Sequence, residues 1–342
     1  MRIKEFDYHL PTSLIAQYPS PQRGETFLMV LHRQNGMIEH RAFRDMTQYL
    51  NSSDLLVLNN TRVLPARLVG KKETGGRIEM LLIPSWNGRK GGWQALIKAT
   101  GKVKPGTRIQ FEQGLEGEVE EVKDGKGRVH FTYQGEVMDI LQKIGHIPLP
   151  PYIKREDEPL DKDRYQTVFA ERDGSIAAPT AGLHFTNALL QSLKENGVRT
   201  TTITLHIGIG TFAPVKACDV EDHAIEAEWI EISEQTAREI EETKAHGGKV
   251  ISVGTTTTRA LESFSDGRGG IKSGKGMTSL FIYPPYRFRV IDGMVTNFHL
   301  PKSTLILLVS AFAGKDLLMK AYQEAIRREY RFYSYGDAML IL

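Results

Sequence analysis

The pattern that most constrains the fold is a change of hydrophobic period part-way along the chain. From about 63 to 130 the sequence breaks into short alternating pieces, 66–70, 77–83, 93–99, 108–111, 116–122 and 128–133, separated by glycine-rich turns. Alternation puts every second side chain on one face of a strand, and several such pieces with no helical period between them specify a small antiparallel barrel or sandwich. The flanking segments alternate strands with helices, the pattern of a layered α/β fold. The expected fold class is therefore a large α/β domain with an inserted all-β, barrel-like small domain. Residues 1–60 plus 148–342 would form the discontinuous α/β domain and residues 61–147 the insertion. The chain would enter the insertion through 59–62 and leave by a helix at 136–144, ahead of a stiff connector, Ile-Pro-Leu-Pro-Pro-Tyr-Ile, at 147–153.

Within the α/β part, helices are expected at 11–18, 44–50, 187–196, 234–246, 303–313 and 316–330. Strands are expected at 54–58, 164–170, 200–207, 226–232, 249–253, 280–283, 286–290 and 294–298. Two strand-to-helix turns concentrate unusual chemistry. The first, 175–186, packs small residues, a proline and a glycine around His184, just before a helix capped by Thr186 and stopped by Gly197. The second follows the strand 249–253: Gly254 breaks it, and Thr255, Thr256, Thr257, Thr258 and Arg259 open a helix, a good cradle for a carboxylate or phosphate. Ordinary capping by one threonine is the plainer account of the second, and a hydrogen-bonded loop histidine the plainer account of the first.

Open α/β sheets bind ligands at such turns, and His184, His206 and His299 all lie at strand ends or strand-to-helix loops. Imidazole is the side chain best matched to proton transfer near neutral pH. Gly208 and Gly210 after the strand 200–207 lack the third glycine of a dinucleotide fingerprint, and Phe212 and Pro214 intervene, which argues against a nicotinamide cofactor. Aromatics at 331–337 with Arg331 and Asp337 either stack on a base or seal the core.

Charge distribution says more than the net of +3. Between Arg62 and Arg108 eleven Lys/Arg face two Glu, whereas 219–246 holds ten Asp/Glu against two Lys/Arg. The first region, with Lys71, Lys72, Arg89 and Lys90, suits a polyanion; the second would repel one. Cys218 is the single cysteine, which fits a reducing compartment and leaves a dedicated metal site unexpected. The longest apolar run, 305–313, is less than half of the roughly 20 residues a bilayer span needs. A cytoplasmic monomer without membrane contact is expected.

Six separated blocks then resemble one family from end to end. They are Phe-Asp-Tyr at 6–8 with Leu-Ile-Ala-Gln at 14–17, Leu-Asn-Asn-Thr-Arg-Val-Leu-Pro-Ala-Arg at 58–67, and Ala-Ala-Pro-Thr-Ala-Gly-Leu-His-Phe-Thr at 177–186. Val-Gly-Thr-Thr at 253–256, Thr-Asn-Phe-His-Leu-Pro at 296–301 and Tyr-Gly-Asp-Ala-Met at 335–339 complete the set. Together they look like the S-adenosylmethionine:tRNA ribosyltransferase-isomerases. The resemblance implies transfer and isomerisation of the ribosyl group of S-adenosylmethionine onto 7-aminomethyl-7-deazaguanine (preQ1) at the tRNA wobble position, giving epoxyqueuosine and releasing adenine and methionine. S-adenosylmethionine would be a consumed co-substrate rather than a cofactor, with tRNA the partner and no metal.

That chemistry asks for a base at the ribose C5′ and an acid for the departing adenine. His184, His206 and His299 are the candidates, unranked. Thr180, Thr255, Thr256, Arg259, Asn297 and Asp337 are the substrate-binding candidates. Thr255, Thr256 and Arg259 would face the methionine carboxylate, Asn297 and Asp337 the sugar or base. Two positions depart from the family pattern: Thr257 stands where serine is common, and Glu226 where a second histidine is common, so no role is carried over to 226. The rival readings are an S-adenosylmethionine-dependent tRNA methyltransferase and a non-catalytic RNA-binding protein.

Overall fold

A computed structural model describes residues 1–84, 92–212 and 217–342. Its centre is a nine-stranded mixed sheet. In spatial order the strands are Gly274–Thr278, Glu228–Ile232, Arg199–His206, Leu55–Asn59, Val250–Val253, Gly293–Asn297, Ala338–Ile341, Phe27–Leu31 and Ile38–Ala42. The four strands from Arg199–His206 to Gly293–Asn297 run parallel. Leu55–Asn59 is buried at every position, as a parallel strand covered on both faces must be. The faces are covered by separate apolar clusters, one built on Met29, Val57, Leu205 and Leu307, the other on Leu28, Leu56, Phe185 and Val295. Successive residues of one strand thus point into opposite clusters.

The alternating segment closes into a six-stranded barrel: Arg67–Lys72, Arg77–Ile83, Trp93–Ala99, Arg108–Gln110, Glu116–Lys123 and Lys126–Thr132. Inward positions such as Leu68, Ile78, Met80, Ala95, Val119 and Val129 fill it. The helix Val137–Ile144 packs on the same cluster and ends at Gly145, where a Cβ would stand 2.0 Å from the Pro65 carbonyl oxygen.

Several expected elements differ. The piece 164–170 is not a strand: Asp161–Arg164 is a helical turn, and the strand beyond it is Arg172–Ser175, parallel to Thr61–Val63. The cause is Asp161, whose buried carboxylate accepts from Arg155 (2.7 and 2.9 Å), Tyr335 Oη (2.7 Å) and the Glu158 N–H (2.8 Å), locking 155–165 into a compact turn. The pieces 280–283 and 286–290 join no ladder. Pro284 and Pro285 supply no N–H between them, and the Glu262 carboxylate accepts the N–H groups of Arg289, Val290 and Ile291 that a strand partner would otherwise take. Instead of a helix at 11–18 there is one 3₁₀ turn, Thr12–Leu14, after which Ile15 bridges to Phe332. Among the described residues no helix is long and apolar enough to cross a membrane.

Candidate active site

The four parallel strands end together in His206, Asn59, Val253 and Asn297, and their carboxyl edge is where an α/β sheet presents ligand-binding loops. Asn59 holds that edge in register beyond the ladder. Its Oδ1 accepts from the N–H groups of Leu205 and Thr61 (both 3.1 Å), and its Nδ2 donates to the Leu205 carbonyl (3.0 Å) and reaches Thr256 Oγ1 (3.4 Å). A cleft of about 350 Å³ opens there, part of it reaching solvent. It is lined by Thr180, Thr255, Thr256, Asn297 and His299 with Pro179, Ile207, Gly254 and Leu305.

The floor of the cleft is the start of the helix Thr255–Ser263. Its N-cap, Gly254, sits at φ +92°, a conformation that suits glycine, and no side chain caps the helix. The first N–H groups are therefore left for a ligand or water. The four threonines divide by role. Thr257 Oγ1 donates to the Val253 carbonyl (2.6 Å) and Thr258 Oγ1 to the Gly254 carbonyl (3.2 Å), while Thr255 and Thr256 line the cleft.

One wall is the 3₁₀ turn Thr180–His184, which packs on the strand Gly293–Asn297. Thr180 Oγ1 donates to Asn297 Oδ1 (3.3 Å), and Asn297 Nδ2 donates to the Tyr333 carbonyl (3.0 Å) and to His184 Nε2 (3.0 Å). An amide nitrogen cannot accept, so His184 Nε2 is bare and Nδ1 carries the proton, donated to Thr26 Oγ1 at 3.0 Å. His184 is buried against the Phe43 ring at 5.0 Å, and burial, with Arg331 and Arg23 adding repulsion, pushes its pKa down to about 3. It also borders a second cleft with Gly24, Arg164, Leu183 and Tyr335, on the far side of the turn.

Of the three histidines, His299 lines the first cleft. Its backbone is held by the hydroxyls of Tyr8 and Tyr322, its Nε2 lies 3.4 Å from Thr296 Oγ1, and its Nδ1 has no partner. Burial alone pushes it down to about 3. His206 instead stacks on Trp229 (4.9 Å between centroids) with Nδ1 2.8 Å from Thr61 Oγ1, and burial lowers it to about 4. Among the described residues His299 thus lines the cleft directly, His184 stands behind Asn297, and His206 packs against Trp229 of the neighbouring strand.

The model of the queuosine biosynthesis protein family matches residues 3–341. The chain belongs to that family. Proteins named S-adenosylmethionine:tRNA ribosyltransferase-isomerase from Halothermothrix orenii and Natranaerobius thermophilus are 52% and 48% identical. Each alignment covers 100% of this chain, with 100% and 99% of the relative. A crystal structure of an S-adenosylmethionine tRNA ribosyltransferase from Thermotoga maritima aligns with TM-score 0.56 at 37% identity, over 99% of this chain and 100% of that one.

In this member of the queuosine biosynthesis family the other expected site residues are occupied within the protein. Arg259 donates through Nη1 to Glu228 Oε2 at 2.6 Å and through Nε to the Leu280 carbonyl at 3.1 Å, which leaves its Nη2 without a partner. Asp337 accepts from the N–H groups of Phe27 (2.8 Å) and Arg331 (2.7 Å), and burial raises its pKa. It ties down the loop 331–337 rather than lining the cleft. Lys72 is only 9% exposed, its ammonium donating to the carbonyls of Thr100 (2.7 Å) and Lys102 (3.2 Å), so it staples a barrel turn instead of facing outward. Lys71 is exposed, while Arg89 and Lys90 lie outside the described residues. Glu226 pairs with Lys126 of the barrel at 3.0 Å. Thr26 escaped sequence reasoning because a loop threonine carries no signal of the contact it makes, and Asn59, visible only within the polar run that follows a buried strand, gave no sign of its partners at 205 and 256.

Proposed function

We propose that this chain transfers and isomerises the ribosyl group of S-adenosylmethionine onto 7-aminomethyl-7-deazaguanine in the anticodon of a tRNA, yielding epoxyqueuosine with release of adenine and methionine. Full-length identity of about half to proteins bearing that enzyme name is the observation that carries the reading. The cleft supplies what such a reaction needs: free helix N–H groups, fixed hydroxyl and amide groups for a sugar, and a shielded imidazole.

Thr180 and Asn297 would contact the ribose, and Thr255 and Thr256 the polar end of the co-substrate. His299, with an unengaged Nδ1 in the cleft, is the first choice for proton transfer, with His206 the second and His184 acting through Asn297. A pKa near 3 keeps the imidazole neutral at pH 7, able to accept a proton but requiring the bound substrate to make it a stronger base.

In this reading residues 61–147 form an inserted small domain that binds tRNA backbone, with Lys71, Arg89 and Lys90 among its contacts. Lys71 lies directly across from Arg77 and next to Gln110 on the outer face, where Lys98 stands opposite Glu79 and Arg108 is paired with Glu73 and Glu118. Like charges placed opposite one another cost stability unless an anion lies over them. The decisive experiment incubates the purified protein with S-adenosylmethionine and precursor tRNA. Free adenine and methionine are expected. S-adenosylhomocysteine instead would mean methyl transfer, and no consumption of S-adenosylmethionine would mean a binding protein.

A further inference from the structure

Among the described residues five other than glycine hold a positive φ. Gln113, Asp124, Lys302 and Glu329 are exposed, whereas Tyr333, at φ +73°, is only 5% exposed. A left-handed backbone suits glycine and short polar side chains. For a bulky aromatic it is an outlier that persists only where the surroundings impose it, and such outliers gather at functional sites. The Tyr333 N–H donates to the Phe298 carbonyl at 3.1 Å, and its carbonyl accepts from the Gly336 N–H at 2.9 Å and from Asn297 Nδ2 at 3.0 Å. Its ring packs on Tyr152, 4.4 Å between centroids, in the connector by which the chain leaves the barrel. The phenol oxygen is buried without a partner, so no polar contact of the side chain accounts for the conformation. What the conformation accomplishes is aim. The N–H and C=O of this one residue both reach 297–298, at the rim of the cleft, and turning φ to an ordinary negative value would part them.

We propose that Tyr333 is a positioning residue for the ligand in the cleft, acting through Asn297. The inference rests on the reading above, in which Asn297 contacts the ribose of S-adenosylmethionine. A primary amide is planar and carries two N–H donors. One goes to His184 Nε2 and the other to the Tyr333 carbonyl, which fixes the plane and leaves Oδ1 toward Thr180 Oγ1 on the cleft wall. With the Tyr333 carbonyl turned away, only the Asp337 carbonyl, at 3.5 Å, remains for the second donor, and the plane is free to rotate. The ring contact with Tyr152 offsets part of the cost of the left-handed backbone. The aim of Asn297 therefore depends on the connector staying seated, although no atom of the connector lines the cleft.

Comparing Tyr333→Gly with Tyr333→Ala isolates the backbone, since both lack the ring and only glycine is at ease in the left-handed region. The assay is calorimetric binding of S-adenosylmethionine, at a temperature where thermal melts show both variants folded. Binding should be about tenfold tighter in the Gly variant, the population ratio that the cost of a left-handed alanine sets, and the KM for tRNA should be the same in both. A purely structural role would separate their melting temperatures but not their affinities. Tyr333→Phe should match the wild type in binding and turnover and melt no lower, because the hydroxyl it removes is unsatisfied. Equal affinities of the folded Gly and Ala variants overturn the assignment. So does a Phe variant that loses binding, which would place the function in the hydroxyl. If either small variant melts below the assay temperature, Tyr152→Leu replaces the pair, removing the support of the ring and leaving residue 333 intact. Weakened binding of S-adenosylmethionine then upholds the proposal and unchanged binding overturns it. Absence of adenine from the wild-type reaction refutes the proposed reaction and leaves this comparison, which reads binding alone, in force. A wild type that binds no S-adenosylmethionine overturns both.

Discussion

Replacing His184 three ways separates a positioning histidine from one that moves protons. Gln can place an acceptor near the site of Nε2, Asn can place a donor near Nδ1, and Phe keeps the ring against Phe43 but offers neither. In His184→Phe the Asn297 amide loses one of its two near acceptors, at 3.0 Å, while its bond to the Tyr333 carbonyl survives and only the Asp337 carbonyl, at 3.5 Å, stands by for the freed donor. Thr26 is half-buried, and water can replace the bond it loses. The stability cost is then that of one orphaned buried donor, about 1–3 kcal/mol. The kinetic cost is larger in kind: an amide free to rotate no longer fixes Oδ1 toward Thr180, and kcat/KM for S-adenosylmethionine should fall by roughly 10- to 100-fold. His184→Gln should restore most of that activity, and His184→Asn should resemble His184→Phe. Steady-state adenine release, with thermal melts alongside, reads all three. Equal inactivity of the Gln and Phe variants would refute the reasoning and return His184 to the proton-transfer candidates.

Other expectations follow from the same contacts. His299→Ala should keep the fold and lower turnover by about 10² or more, with bound S-adenosylmethionine still detectable by calorimetry. Acid should destabilise the protein through His184 and His299, whose pKa values fall from 6.5 to about 3 on folding. The unfolded chain binds the extra protons, so this stability is complete above about pH 6.5 and drains away toward pH 3, at about 1.4 kcal/mol per pH unit for each histidine. Equal urea midpoints at pH 7 and pH 5 would contradict it. Lys71→Ala should lower the slope of log K against log salt for tRNA by about one, whereas Lys72→Met should leave that slope alone and reduce the melting temperature, having cost about 1–3 kcal/mol in charge-assisted hydrogen bonds. Gly145→Ala should destabilise by at least ~2 kcal/mol, since its Cβ would overlap the Pro65 carbonyl and nothing there is a flexible side-chain end.

Local chemistry was legible in the sequence and long-range pairing was not. The barrel strands follow the alternation closely, Arg77–Ile83 and Trp93–Ala99 to the residue, because period and turn glycines act within a few positions. The turns at 175–186 and 254–259 stood out for the same reason, and Thr180, Thr255, Thr256, Asn297 and His299 do meet at one cleft. What stayed hidden depended on partners far along the chain. That Glu228, 31 residues away, takes one nitrogen of Arg259 could not be read from the sequence around either residue. Lys72 reads as surface charge until its ammonium is found on two carbonyls about 30 residues on. The pieces 280–283 and 286–290 read as strands from composition, and only the position of Glu262 shows why the N–H groups at the end of the second pair with no strand. Asn35-Gly36 does signal the turn between Phe27–Leu31 and Ile38–Ala42, but nothing local shows that Phe27–Leu31 also pairs with Ala338–Ile341, which joins opposite ends of the chain.

The strand Ala338–Ile341 lies between Gly293–Asn297 and Phe27–Leu31, hydrogen-bonded to both. It is also synthesised after every strand it joins. The hairpin at 27–42 must therefore wait on a growing nascent chain, with no docking place in the sheet until residue 341 has emerged. Loss of the strand at 338–341 would unseat that hairpin and, with it, Thr26 beneath His184, so synthesis broken off inside that strand should release a catalytically silent protein.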